Sequence, residues 1–258
     1  MNLERIAATG VLAMLGLLCG TTAEIAGQAD IEIGTTTGAE SVKLALPLFP
    51  LETRIGGNPS EADGLTEIFN ETLWNDLEFS GIFDMIGRSF YPLGSFGNTS
   101  DIVSEDWVDP VVDAQVLAFG HAGIDNNGRF FTEAHLWDMK TDFTNRELMG
   151  SVGLLYRIEL TERGVRRMAH DIADRIVAQL GGGVRGIART QIAFVSDRTT
   201  RSGDEFPRKE IWVMDYDGFN QYQLTTLHST AISPRWAPDS RRIAFTHMSN
   251  NGADISVV

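Results

Sequence analysis

Apolar positions along the chain recur with two different periods, and the alternation between them sets out the elements. At 42–49 the run Val-Lys-Leu-Ala-Leu-Pro-Leu-Phe is dense in strand-compatible residues, and Pro47, which cannot donate to a ladder, is expected to end the strand. Leu65, Ile68, Phe69, Leu73 and Leu77 then fall on one face of a helix that Asp63 can cap and Gly81 should stop. A short strand is expected at 82–86. Residues 87–113 are rich in Gly, Ser, Asn, Pro and Asp and show no sustained period, which predicts a loop region.

Two strand-like runs follow at 114–124 and 129–139. Asp125-Asn126-Asn127-Gly128 between them is a set of residues that tolerates positive φ and favours a hairpin turn. A third strand of the same sheet is expected at 146–156. The clearest helix comes next: Thr161 can cap it, and Val165, Met168, Ala169, Ile172, Ala173, Ile176, Val177 and Leu180 hold one apolar stripe, with Arg166, Arg167, Asp171, Asp174 and Arg175 elsewhere. Gly181-Gly182-Gly183 ends it. That triplet follows a helix and lacks the Lys-Ser/Thr of a phosphate-binding loop, so it is expected to be a helix terminus and hinge.

After Arg185 the texture changes to short strands and polar turns, which predicts a domain boundary, with 30–184 before it and 185–258 after it. Here the sequence repeats. Ile192-Ala193-Phe194-Val195 recurs as Ile243-Ala244-Phe245-Thr246, and the strand at 210–214 is echoed at 254–258. Units repeating at roughly 50 residues are the mark of propeller blades. The predicted fold is thus an α/β N-terminal domain, a mixed sheet with two main helices, followed by the start of an all-β propeller that is incomplete.

Composition narrows the function classes. The chain has 258 residues, 43% hydrophobic and 22% charged, with a formal net charge of −14. It carries no Lys/Arg-rich run, so the phosphate-neutralising footprint of a nucleic-acid binder is missing. The same acidity disfavours adhesion to anionic lipid. An apolar run at 6–19, followed by small and polar residues, has the profile of a signal peptide over 1–29, with cleavage between Ala23 and Ala29. The run is shorter than the ~20 residues of a spanning helix, so no direct membrane insertion is expected of the mature chain. Cys19, the single cysteine, lies in this leader behind Leu18, where lipid attachment would want a small residue. No disulfide is therefore expected in the mature fold.

The stretch Ser233-Pro234-Arg235-Trp236-Ala237-Pro238-Asp239-Ser240-Arg241-Arg242-Ile243-Ala244-Phe245-Thr246 resembles the Ser-Pro-x-Trp-Ser-Pro-Asp-Gly-x-x-Ile-Ala-Phe signature of TolB-type propeller repeats, with departures at Ala237 and Ser240. Trp212 to Gln221, containing Asp215-Tyr216-Asp217-Gly218, is similar to the Asp-Tyr-Asp-Gly-x-Asn segment of the first blade in the TolB family. The 113–120 run, the hairpin and the long helix leading into Ile192 follow that family's N-terminal domain in order. The resemblance implies a periplasmic, non-catalytic protein of the Tol-Pal system, acting as a monomer in outer-membrane integrity and cell division. The family's propeller has six blades, whereas about 70 residues here supply one blade and part of another, so an incomplete gene product is expected.

Candidate chemistry is sparse. His121, His135, His170, His228 and His247 show no short ligand spacing, and neither metal nor cofactor is expected. Asp215-Tyr216-Asp217-Gly218 superficially looks like a calcium loop, but its glycine comes too early and Thr226 stands where the closing Glu belongs, so a hairpin turn is expected. No Gly-x-Ser-x-Gly elbow is present, which bears on the alternative reading, the propeller part of an exported prolyl-oligopeptidase-like serine peptidase. The candidate partner site is the mature N-terminus, where Ile31, Glu32, Ile33 and Gly34 can add a strand to a sheet edge through main-chain hydrogen bonds. In the family the corresponding segment binds the C-terminal domain of TolA and modulates binding of the lipoprotein Pal. The resemblance thus makes Ile31 and Ile33 side-chain anchors with Glu32 and Gly34 beside them.

Overall fold

Parallel and antiparallel pairing meet at one strand, β4 (Val116–Ile124), and the rest of the first sheet is arranged around it. On one side, β1 (Val42–Ala45) runs parallel to β4, with Leu44 opposite Val116, and β3 (Phe83–Met85) runs parallel to β1, with Val42 opposite Phe83. The two-residue β2 (Leu51–Glu52) pairs with the far end of β4. On the other side, β5 (Arg129–Asp138) and β6 (Leu154–Glu159) continue as an antiparallel meander. The sheet order is β3-β1-β4-β5-β6, with β2 beside β4.

This computed structural model describes residues 41–52, 59–141, 146–148, 154–203, 208–249 and 252–258. The chain divides into units Met1–Glu40 and Ser41–Val258, and the described residues all belong to the second. The expected leader at 1–29 and the candidate residues Ile31, Glu32, Ile33 and Gly34 lie outside the described residues.

Every residue of β4 is buried because both faces of the sheet are covered. Side chains alternate between faces along a strand. Val116, Ala118 and Ala122 accordingly pack under α1 (Pro59–Phe79) and α3 (Glu162–Leu180), while Leu117 and Phe119 face the opposite way. The apolar stripes of both helices, Phe69, Leu73 and Leu77 from α1 and Met168, Ile172 and Ile176 from α3, close the first core. Thr161 caps α3 as its sequence suggests, its hydroxyl accepting from the Gly164 N–H at 3.1 Å. At Gly120 the sheet leaves no room for a side chain, since a Cβ there would collide with the Glu133 carbonyl and come within 2.7 Å of the Phe49 ring.

Three expectations need correction. Helix α1 begins at Pro59, so Asp63 lies inside it and does not cap it. Proline at the first helical position presets the required φ, and Glu61 in the first turn complements the dipole. The region 87–113 is not simply loop. It contains 3-10 turns at Arg88–Phe90 and Thr99–Asp101 and a short helix, α2 (Ser104–Val108), and it supplies the second core, where fully buried Trp107 meets Phe96, Ile102, Leu117 and Phe119. The third antiparallel strand is β6 at Leu154–Glu159, later than expected, although Glu147 does bridge to Trp137.

Beyond Arg185 the chain forms two separate antiparallel sheets. The first consists of β7 (Gln191–Ser196), β8 (Glu210–Asp215) and β9 (Tyr222–Gln223). The second consists of β10 (Thr230–Trp236), β11 (Ile243–Ser249) and β12 (Gly252–Val257). They stack through Ile211, Val213, Ala231, Ile243 and Phe245, with Ala193, Val195 and Leu224 against them. Glu210, 1% exposed, ties the first sheet to the start of the second by accepting from the Thr225 hydroxyl at 2.6 Å and the His228 N–H at 2.8 Å. Two sheets stacked face to face without closing a ring make an open, incomplete propeller.

Candidate functional site

The turn between β8 and β9 brings polar groups of α1, α3 and the first blade into one place. Asp215-Tyr216-Asp217-Gly218-Phe219 reverses tightly: the Gly218 N–H donates to the Asp215 carbonyl and the Asp215 N–H to that of Phe219, both at 2.9 Å. Gly218 sits at φ 84°, a left-handed conformation that glycine adopts without steric cost. The hairpin turn expected here is thus formed, and its Asp217 points at the two helices.

There Asp217 meets Arg166 and His170 of α3, with Arg166 Nη1 at 2.9 Å and His170 Nε2 at 3.5 Å from Asp217 Oδ2. His170 Nδ1 lies 2.6 Å from Asp76 Oδ2 on α1. One imidazole therefore links α1, α3 and the first blade. The Arg166 guanidinium also lies 4.6 Å over the Phe219 ring, and Tyr216 makes an edge contact with Phe79 of α1 at 5.3 Å. The aromatic pair and the ionic contacts thus hold the same turn from two sides.

Burial alone would lower the His170 pKa. Hydrogen bonds that the ring donates to Asp217 and Asp76, with the charges of those carboxylates, outweigh it and raise the imidazole to about 9. The two carboxylates diverge. Burial pushes Asp76 upward against the pull of His170, whereas Asp217, although also desolvated, is held down to about 2 by His170, the Phe219 N–H and Arg166. The imidazolium is thus held between two carboxylates, Asp217 well below its ordinary range and Asp76 raised by its burial.

The connection from α3 into β7 is bound in the same region. The Asp174 carboxylate accepts from the N–H of Ala188 at 2.9 Å and of Arg189 at 3.2 Å, and the Thr190 carbonyl accepts from the Tyr216 N–H at 3.1 Å. Asp171, off the apolar stripe of α3, is buried and paired with Arg175 at 3.0 Å and Arg189 at 2.7 Å. The segment after the triple glycine, expected to act as a hinge, is thus tied back to the helix it leaves. A buried, hydrogen-bonded ion pair resists displacement, because moving one partner strands a charge away from water.

Of the five histidines, His121, His135 and His170 are buried, and each has a carboxylate beside it. Among the described residues no group of three or more His, Cys, Asp or Glu is placed to hold a metal. Also among them, no helix is long and apolar enough to cross a membrane. The sequence reading missed Asp76, Arg166, His170 and Asp217 as a unit. The available signal was a polar residue beside the apolar face of each helix, Asp76 just before Leu77 and His170 just after Ala169.

An α/β layer whose last helix leads, through a clasped turn, into stacked blade sheets defines a class of protein: propeller-type blades carried on a mixed-sheet base. Within that class the chain is TolB-like. It is 30% identical over 239 residues to the Tol-Pal system protein TolB of Roseobacter denitrificans, covering 92% of this chain and 49% of that protein. It is likewise 30% identical over 250 residues to the Tol-Pal system protein TolB of Cereibacter sphaeroides, covering 96% of this chain and 52% of that one. The chain thus spans about half the length of the curated relatives it matches. The crystal structure of TolB from Acinetobacter baumannii matches with a TM-score of 0.60 at 19% identity, over 85% of this chain and 47% of that chain, a likeness of fold. No family model matches the chain.

Proposed function

We propose that the chain is a periplasmic, non-catalytic component of the Tol-Pal system that works by reversible protein docking. The observation that carries this reading is the similarity, over nine tenths of the chain, to proteins named for that system. The leader at 1–29 directs export. Residues 30–184 and 185–258 act as two domains, and the Asp76–His170–Asp217 clasp sets their relative orientation. Ile31, Glu32, Ile33 and Gly34 add a strand to the C-terminal domain of a TolA-type partner, and the blades contribute to binding a Pal-type lipoprotein, in support of outer-membrane integrity and cell division. Strand addition suits the segment because main-chain hydrogen bonds give affinity while alternate side chains, here Ile31 and Ile33, give specificity.

The test is capture of a TolA-type C-terminal domain by the mature chain with and without residues 31–34. Deletion should abolish capture while the far-ultraviolet circular dichroism and melting temperature stay unchanged. Unchanged capture refutes the assignment of this segment.

A further inference from the structure

Beside the clasp lies a cleft of about 640 Å³ whose charge runs against that of the whole molecule. The chain carries a net −14, yet Arg163, Arg166, Arg167 and Arg189 all line this cleft. Two of them are engaged, Arg166 by Asp217 and Arg189 by Asp171. Arg163 and Arg167 are exposed and paired with no carboxylate among the described residues. Arg163 lies in the first turn of α3, where a cation opposes the helix macrodipole, and Arg167 follows one turn on. Asp215, the acidic residue in the lining, is occupied by an amide hydrogen bond from Gln191 at 3.1 Å. Trp236 lines the same cleft, and its indole N–H is buried without a hydrogen-bond partner among the described residues.

We propose that this cleft binds a carboxylate-bearing peptide segment of a protein partner, with Arg163 and Arg167 pairing its acidic side chains and Trp236 meeting an acceptor or side chain of the same segment. Guanidinium forks match carboxylates in bidentate geometry. The cations come in series, from successive turns of α3 and from Arg189 in the connection after it, which suits several carboxylates spaced along a chain better than one phosphate. The size of the cleft lies within the range that encloses a short ligand segment. The proposal uses none of residues 31–34 and does not rest on the role proposed for them.

The experiment is fluorescence anisotropy of a labelled Asp/Glu-rich octapeptide containing one aromatic residue, titrated with the mature chain at low ionic strength. An otherwise identical Asn/Gln peptide serves as control. Saturable binding of the acidic peptide alone, falling with added salt and weakened about tenfold or more by R163E/R167E, supports the site. Both arginines are exposed and unpaired, so the variant should melt with the parent; should it misfold, R163Q/R167Q is read in the same way. Three results overturn the proposal: no saturable binding, equal binding by the arginine variants, or displacement of the peptide by inorganic phosphate at equimolar concentration, which marks a phosphate site instead.

Discussion

The same tripeptide, Ile-Ala-Phe, occurs in β7 and in β11, and the two copies are buried differently. In β11, Ile243 is 2% exposed and Phe245 4%, both inside the core between the two blade sheets. In β7, Ile192 is 39% exposed, and it is Ala193 and Val195 that reach that core. Each blade sheet has two faces and stacking is directional. The Ile/Phe face of the second sheet rests on the first sheet, where the neighbouring Ala/Val face receives it. The Ile/Phe face of the first sheet has no blade against it among the described residues, and Phe194 meets the Arg198 guanidinium at 5.6 Å instead. Burial in a repeated architecture is therefore a property of the stack more than of the strand, because each unit hides its apolar face only against the next.

The largest expected effect lies at the buried copy. Phe245→Ala should destabilise by about 3–5 kcal/mol, measured by urea denaturation, since it opens a cavity in the smallest of the three cores. If the loss is confined to the blade strands while α1 and α3 keep their hydrogen-exchange protection, the two parts unfold separately. A single cooperative loss instead means that the clasp couples them.

His170→Gln should cost less, about 1.5–3 kcal/mol, because it removes a charged hydrogen-bonding partner while keeping a polar side chain in place. Its signature is the pH profile. With a folded pKa of about 9 against an ordinary 6.5, His170 contributes stability that is complete below 6.5 and is lost as pH rises through 9. Asp217, held at about 2, contributes stability present above its ordinary 3.8 and lost as pH falls through 2. Asp76, raised by burial, opposes the fold once ionised. Melting temperature followed from pH 6 to about 9.5 should decline more in the parent than in the variant. Equal slopes would mean that His170 carries no linked proton. The smallest effect belongs to the exposed copy: Ile192→Ser should change stability by less than about 0.5 kcal/mol in the same denaturation assay. A cost near that of Phe245→Ala would show that the exposed face is covered in solution.

Much of this architecture is legible in one dimension. The stripes of α1 and α3, the Thr161 cap, the Asp125 to Gly128 turn and the recurring blade strands depend on short-range spacing and local turn chemistry, which a linear pattern records directly. The candidate segment at 31–34 is known only in this way. The second core was hidden because Trp107, Phe96 and Ile102 come from a stretch with no period, whose apolar residues meet only after the chain has folded across the sheet.

The clasp was hidden for a related reason. Asp76, His170 and Asp217 come from three elements far apart in the chain, and each alone is an ordinary polar residue. Their charges, the displaced pKa values and the arginine cleft beside them arise where desolvation and proximity act together. Local sequence thus dictates which segments become helices, strands and turns, since propensity and periodicity act within a few residues. Which face of a repeated strand is buried, and which polar residues are pressed together away from water, follows from long-range packing, because burial exists only once a second surface arrives.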